Sequence, residues 1–382
     1  MMRLGIDASN IRGGGGITYL LELLRTANPN EYGFEQVIVY AGSFTLQQLE
    51  DRPWLCKIHD PLIDLPLPYR LYWQRLKLDH LLSQSACDIL FSPGASYCGS
   101  FRPYVTMSLN MLPFVWNEAK RYGISWHLVK FLLLRLSQLS AFNRSDAVIF
   151  PSEYAKATVS KFINQSELLL KVIYAGVDER FRSNPKIQKP ISCYTNENPF
   201  RLLYVSAVAP YKHQWHIMEA VHKLRKKGLP VMLEIIGGIR NCKGRFYNAL
   251  SRLDPDQLWI KYRGEIPFKE LHSSYRQADM FIFASSCEAG GSFIQLEAMS
   301  AGLPIACSDR GSMPEVQGEA GVYFDPENPD KIAEAILSLA LKPQLRSDKA
   351  WAAFERSKYY SWERCSSNIF KLLSEIAHEG HE

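Results

Sequence analysis

Glu288 and Glu297 flank a glycine-containing stretch in SCEAGGSFIQLEAMSAGLPIACSDRGSMPE, Ser286 to Glu315. Just before it, MFIFAS (Met280 to Ser285) is an apolar run of strand length, and Gln295 to Ala301 reads as a helix that Gly302 stops. The spacing predicts Glu288 at the carboxyl end of a parallel strand and Glu297 in the first turns of the next helix. That edge is where open α/β sheets bind ligands. Carboxylates there can accept hydrogen bonds from sugar hydroxyls, and amides at a helix start can meet phosphate oxygens. The combination suits a nucleotide sugar. Lys212, in SAVAPYKHQW directly after an earlier strand, places a cation at the same edge. A cation there neutralises a diphosphate as its bond to a sugar breaks. In YRGEIPFKELHSSYRQAD (Tyr262 to Asp279), the backbone from Arg263 through Glu265 to Ile266 is placed to read a nucleobase edge or to serve as a plain connection. Gly13 to Gly16 separates the first strand from the first helix, where missing Cβ atoms let a phosphate or sugar approach. The spacing is not the dinucleotide fingerprint, which disfavours an NAD site.

These residues need a scaffold, and 382 residues suggest two domains. A hydrophobic share of 47% with 22% charged residues describes an ordinary globular protein, and net charge +5 without a dense basic run does not point to nucleic acid. It does leave room for an anionic membrane surface or phosphorylated substrates. The eight cysteines are scattered, with no pair at zinc-ligand spacing, so reduced thiols and a cytoplasmic setting are expected. The start, MMRLGIDAS, enters a strand directly and lacks the apolar run of a secretion signal. Trp126 to Phe142 carries Lys130 and Arg135 and is too short to span a bilayer. A buried helix of the first domain is expected there, with an amphipathic helix on a membrane surface as the alternative.

From Arg3 onward apolar strands alternate with helical stretches: LGIDA, a helix from Ile17, QVIVY, a helix over Leu71 to Leu82, DILFS, YVTMS and AVIFP. Alternation of this kind predicts a parallel sheet covered on both faces. SNPKIQKPISCYTNENP then breaks the pattern and reads as a linker. A second series follows, with LLYVS, a helix carrying Ile217, Val221 and Leu224, VMLEIIG, a helix near Tyr247, WIKYRG, a helix from Glu270, and MFIFAS. The expected division is a first Rossmann-like domain over 1–182, a linker over 183–199 and a second such domain over 200–360. The tail, 361–382, is expected as a helix packing back on the body, since Ile369, Leu372, Leu373 and Ile376 form one stripe. The fold class is thus α/β, two doubly wound domains facing across a cleft.

The chain resembles the retaining GT-B glycosyltransferases of family four, the group 1 type, over nearly its whole length. EAGGSFIQLEAMSAGLPI resembles the paired-glutamate motif, and RGEIPFKELHSSYRQAD and GEAGVYFDPENPDKIAEAI resemble two further stretches of the donor-binding domain. IRGGGGITYLLELL, PSEYAKATV and VIYAGVDERF resemble the acceptor-side glycine loop, the Ser-Glu helix and the segment at the domain exit. The resemblance implies that Glu297 holds the donor ribose, Glu288 meets the transferred sugar, and Lys212 clamps the diphosphate. It implies further that Gly15 and Gly16 neighbour the phosphate and that Phe293 and Ile294 offer amides beside the sugar. Four departures stand out. Eight residues, not seven, separate Glu288 from Glu297. Ala207 replaces an arginine five positions before Lys212, Leu109 and Asn110 replace a His-Asp pair, and Ala175 replaces an asparagine.

The resemblance implies a retaining transfer of a hexose-type sugar from a nucleotide-sugar donor to a saccharide or lipid-linked acceptor, in cell-surface polysaccharide assembly. No metal or other cofactor and no nucleic acid is expected, and a peripheral contact with the inner face of the membrane is compatible with it. Acceptor contacts are expected from Asn10, Asn110, Trp116, Glu118 and Arg121. The alternatives are a nucleotide-sugar epimerase of the same fold and a GT-B protein that binds or assembles without catalysis.

Overall fold

In the computed structural model, residues 1–123, 125–165, 168–290 and 292–380 are described; Gly291, inside the glutamate motif, lies outside them. The chain divides into two compact units: Met1–Phe114, Val129–Gly176 and Ser361–Glu382 in the first, and Val115–Leu128 with Val177–Tyr360 in the second. This departs from the sequence-based division at 115–128 and at 177–199, and the tail groups with the first unit.

The first unit holds a seven-stranded sheet in the order β3-β2-β1-β4-β5-β6-β7, every neighbouring pair parallel. Its strands are β1 (Met2–Asp7), β2 (Phe34–Tyr40), β3 (Leu55–Ile58), β4 (Ile89–Pro93), β5 (Tyr104–Met107), β6 (Ala147–Phe150) and β7 (Leu169–Val172). The five strands expected from apolar runs are the inner ones, covered on both faces. The edge strands β3 and β7 carry a lysine each and are only partly buried, so they lack such a run. The helices that matter here are α1 (Gly15–Thr26), α2 (Leu67–Trp73), α3 (Asp79–Gln84) and α4 (Trp126–Phe142), with a π-helical turn, Gln74–Leu78, joining α2 to α3.

Helix α4 has the expected bounds but not the expected burial. Only Phe131, Gln138, Ala141 and Phe142 are buried along it, whereas Val129, Leu132, Leu133 and Leu136 are exposed. The expectation of a buried helix is corrected: the stretch holds more apolar side chains than the sheet face can cover.

The C-terminal helix, Trp362–Glu379, is capped by Ser361, whose hydroxyl accepts from Arg364 N–H. It buries Trp362, Cys365, Ile369, Phe370, Leu372, Leu373 and Ile376, a stripe at helical spacing. Trp362 meets Tyr19 edge-on at 5.3 Å, and Phe370 meets Phe34 at 6.1 Å, so the tail completes the core of the first unit.

The second unit holds a six-stranded parallel sheet in the order β10-β9-β8-β11-β12-β13. The strands are β8 (Phe200–Val205), β9 (Val231–Ile236), β10 (Ile260–Gly264), β11 (Met280–Phe283), β12 (Ile305–Ser308) and β13 (Gly321–Phe324). Helices α5 (Gln214–Lys226), α6 (Phe268–Gln277) and α7 (Phe293–Ser300) follow β8, β10 and β11. The strand order reverses between β8 and β11, so the loops leaving these two strands splay apart and open a crevice at their carboxyl ends. The Pro- and Asn-rich stretch 183–199 has a linker's composition but is tied down. Lys186 donates to Ala278 O at 2.7 Å, Tyr194 to Asp279 Oδ1 at 3.0 Å, and the buried Arg346 to Gln188 Oε1 at 3.1 Å.

One glycine fixes how the tail enters the first unit. A Cβ on Gly176 would fall within 2.6 Å of Ser361 C and Trp362 Cα and closer still to Trp362 N. All three are backbone atoms that cannot swing aside. Gly176→Ala is expected to cost about 1–3 kcal/mol, read as a lower urea midpoint at unchanged slope; an unchanged midpoint would show that the tail is not held there.

Candidate functional site

The site is built at the reversal point of the second sheet. After β8 the chain makes a 3-10 turn, Pro210–Lys212, and His213 then takes a left-handed φ of 53° before α5 begins. That conformation is uncommon for a side chain with a Cβ and clusters at functional sites. It turns Lys212 inward, where it is only 6% exposed. Its ammonium pairs with Glu288 Oε1, on the loop leaving β11. Ser285 Oγ donates to the same oxygen at 2.6 Å. The faces of Tyr211 and Phe283 lie 5.1 and 5.0 Å from Lys212 Nζ and supply cation–π attraction. Two backbone ties hold the loops: Ser286 N–H donates to Tyr211 O at 3.0 Å, and Tyr204 OH donates to Lys212 O at 2.7 Å. Sequence spacing had placed Lys212 and Glu288 at strand exits; the structure joins them.

Behind the pair lies a buried polar chain. Ser286 Oγ donates to Glu118 Oε2 at 2.6 Å, and His213 Nε2 is 3.1 Å from the same hydroxyl. With the serine proton directed to the carboxylate, His213 Nε2–H is the donor to Ser286. Burial pushes the His213 imidazole down to about 3, and the Arg121 charge adds to this, so the ring is neutral. Glu118 also takes Arg121 Nε at 2.6 Å, and Arg121 reaches on to Glu327, which Arg310 pairs as well. The hydrogen bond from Arg121, joined by Arg310, brings the Glu327 carboxyl down to about 2 against the cost of burial. Glu118 and Arg121, two of the acceptor candidates, thus use their charged groups within the second unit. Trp116, a third, is half-buried with Lys120 Nζ 5.7 Å from its ring centre.

Glu297 sits five residues into α7 and is 5% exposed. Burial raises its carboxyl to about 7, while a 2.8 Å hydrogen bond from Tyr275 OH works the other way. Among the described residues it makes no bond to Lys212 or Glu288. Phe293 and Ile294 open α7, where first-turn amides point out of the helix end. Ile294 O also accepts from Tyr275 OH at 3.2 Å. Arg263 turns to Glu234 Oε1 at 3.0 Å, and Glu265 is exposed beside Arg240; Ile266 is partly buried. The backbone of this segment bends at Gly264, where φ is 67°.

In the first unit, Gly14 has φ 63° and caps α1, whose first residues are Gly15 and Gly16. Asn10 Oδ1 accepts from Arg70 Nη1 at 2.6 Å, and Asn110 Oδ1 accepts from Leu112 N–H at 3.1 Å. Below the loop, Asp7 is fully buried at the end of β1. It takes Ser9 Oγ and Gln74 Nε2 at 2.6 Å each and Ser92 Oγ at 3.3 Å, while burial still raises its carboxyl. Asp7, Gln74, Tyr275, Ser285, Ser286 and His213 were not singled out from sequence. The serines stand beside the glutamate motif and His213 beside Lys212, which was the available signal. Tyr275 reads as an ordinary core residue of α6.

Known proteins resemble the chain in sequence and in fold. Residues 190–356 match the family model of glycosyl transferases group 1. O-antigen chain mannosyltransferase B of Escherichia coli is 32% identical over 174 residues, 45% of this chain and 45% of that protein. The chain therefore aligns with about half the length of that relative. Sucrose-phosphate synthase from Thermosynechococcus elongatus superposes with a TM-score of 0.77 at 15% identity, covering 99% of this chain and 100% of that one. HepE from Anabaena, solved in complex with UDP-glucose, gives a TM-score of 0.72 at 17% identity, covering 98% and 100%. Residues 190–356 thus resemble the glycosyl transferases group 1 domain, and the two Rossmann-like units have the GT-B fold of the superposed structures.

Proposed function

We propose that the protein transfers a hexose-type sugar, with retention and without a metal, from a nucleotide-sugar donor to a saccharide or lipid-linked acceptor. The observation that carries the reading is the buried Lys212–Glu288 pair at the reversal point of a group 1 glycosyltransferase domain. In the absence of donor, Glu288 is the counter-ion of Lys212. A bound diphosphate takes over the ammonium, as a charge-assisted contact that strengthens when the sugar bond breaks. Glu288, released, is then an acceptor for hydroxyls of the departing sugar. Glu297, beside Tyr275, accepts from the ribose hydroxyls; the amides of Phe293 and Ile294 and the backbone around Arg263, Glu265 and Ile266 complete the donor site. Gly15 and Gly16 let the donor phosphate approach the backbone, while Asn10, Asn110 and Trp116 serve the acceptor. The O-antigen chain mannosyltransferase relative supports a hexose and a role in cell-surface polysaccharide assembly; a cytoplasmic setting at the inner face of the membrane belongs to the same proposal. Among the described residues no helix is long and apolar enough to cross a membrane.

The reading is tested by screening UDP, GDP and ADP and their sugars for a thermal shift, since a ligand of the native state stabilises it by mass action. Transfer is then followed with the sugar nucleotide that binds. Lys212→Ala is expected to lower transfer on the order of 10²–10³-fold, the cost of losing one preorganised charge at the reacting group, with an unchanged circular dichroism spectrum. Wild-type rates in that variant remove the assignment. Binding without turnover by the wild-type chain supports instead a binding or assembly role.

Glu297 makes a separate pH prediction. Its carboxyl titrates near 4.5 unfolded and near 7 folded. Below 4.5 both states hold the proton and burial costs nothing. Between these values the unfolded chain ionises first, so stability falls as pH rises, by on the order of 3 kcal/mol once pH exceeds the folded value. Glu297→Gln, which keeps the Tyr275 bond, is expected to flatten this slope. It is also expected to abolish the gain in nucleotide affinity as pH passes about 7, because the ribose then meets an ionised acceptor only in the wild type. Parallel stability profiles for the two proteins between pH 4.5 and 8 would show that Glu297 does not carry the shift.

A further inference from the structure

Lys212 and Glu288 stand on different loops, and one hydroxyl touches both. Ser286 lies two residues before Glu288 and is 3% exposed. Its Oγ is 3.1 Å from His213 Nε2, 3.1 Å from Tyr211 O and 2.6 Å from Glu118 Oε2. Tyr211 and His213 flank Lys212 in the chain. A hydroxyl has one proton to give and two lone pairs to share, and the short contact to a carboxylate takes the proton. His213 Nε2–H then fills a lone pair of the same oxygen. Nδ1 is left as a bare acceptor, without a partner among the described residues. The opposite tautomer would orphan a buried N–H and leave one proton to serve both the 2.6 Å and the 3.1 Å contact, the costlier arrangement.

The ring that makes this bond is held against the preference of its backbone. His213 is fully buried with φ 53° and ψ 29°, a left-handed turn that glycine takes without strain. Helix α5 starts from it, His216 N–H donating to His213 O at 3.0 Å. Glycine would serve that backbone geometry as well or better. The imidazole is instead fixed from three directions: it stacks on His216 at 5.3 Å, meets Trp215 edge-on at 6.2 Å, and bonds Ser286. Burial and the Arg121 charge keep it neutral, so it adds no second cation beside Lys212.

We propose that His213 is a positioning residue for sugar transfer: through the Ser286 hydroxyl it locks the Lys212 loop to the Glu288 loop, at a spacing that persists when Lys212 passes from the carboxylate to the diphosphate. It touches neither sugar nor phosphate. The Lys212–Glu288 ion pair also links the two loops, but it is given up when a diphosphate binds. The His213–Ser286 bond and the bond from Ser286 N–H to Tyr211 O are links that remain. Glu118, itself held by Arg121 Nε at 2.6 Å, fixes the direction of the hydroxyl. The inference rests on the transferase reading, since the exchange of partners on donor binding is what makes a neutral second link necessary.

The experiment compares His213→Gln with His213→Met in the full chain. Glutamine carries an N–H donor at a reach close to that of Nε2, methionine fills similar space without one, and both meet the same backbone strain. With the sugar nucleotide that the wild type turns over, His213→Met is expected to lower kcat by about ten- to a hundredfold at unchanged KM for the donor, the order of effect that a small displacement of reacting groups produces. His213→Gln should recover most of that rate. Ser286→Ala should lower kcat as His213→Met does, and the double variant should be no slower than the slower single, because both changes remove one link. A residue that only stabilises the fold would lower the urea midpoint and leave kcat alone below the unfolding temperature. Nitrogen NMR of the labelled imidazole is expected to show Nε2 protonated and Nδ1 bare; the reverse tautomer would overturn the inference whatever the activity. Wild-type kcat in His213→Met, equal losses in the glutamine and methionine variants, or multiplying losses in the double variant would overturn it while the transferase reading stands. A wild-type chain that turns over no sugar nucleotide would overturn the transferase reading and the inference with it.

Discussion

A lysine ammonium and a glutamate carboxylate, both largely withdrawn from water, hold the centre of the second unit. Ions pay a large desolvation cost, and a buried pair offsets it only with good geometry and further hydrogen bonds. Here the further partners are present: Ser285 on Glu288, and two aromatic faces beside Lys212. The pair exists because the strand order reverses between β8 and β11. Successive parallel strands would send their connections to the same side and bring no such loops face to face across an opening. The chemistry available at the site is therefore a consequence of topology before it is a consequence of residue type.

Glu297 obeys the opposite logic. Among the described residues it forms no ion pair and accepts a hydrogen bond from Tyr275, and burial, with the Asp178 charge adding to it, raises its carboxyl to about 7. Two glutamates in one motif thus stand in different environments: Glu288 faces an ammonium, and Glu297 is buried beside a tyrosine hydroxyl with its carboxyl raised to about 7. Opposed environments for paired carboxylates are a familiar means of giving them different tasks.

Much of this was legible in the residues, and the reasons are physical. Inner strands such as β1, β4 and β11 are covered on both faces and are dominated by apolar runs, so they read at sight. The edge strands β3 and β7 are half-covered, tolerate lysines and do not. Lys212, Glu288 and Glu297 could be placed because strand exits precede them, but their pairing could not, since Glu297 turns to Tyr275 on another helix. The units were less legible. Residues 115–128 lie within the first series of strands yet pack with the second unit, because Glu118 and Arg121 find Ser286 and Glu327 there, contacts that no local pattern announces. Helix α4 was readable as a helix from its length, but whether its leucines face protein or solvent depends on how much sheet lies beneath it, which spacing does not reveal.

The serines explain how so short a loop holds a carboxylate in place. Ser285 binds the carboxylate of Glu288 itself, Ser286 anchors the neighbouring backbone to Glu118, His213 and Tyr211 O, and Ser312 Oγ reaches Gly290 O at 3.0 Å. Each is a small hydroxyl with few rotamers, so fixing it costs little entropy. Ser285 closes the loop on itself, while Ser286 and Ser312 tie it to two other segments, so together they restrain residues 285–290. A charged clamp in any of these places would compete with Lys212 for Glu288 or add a repulsive carboxylate beside it. Neutral donors hold the geometry and leave the single cation free to change partner, which is the property a site that exchanges a carboxylate for a diphosphate requires.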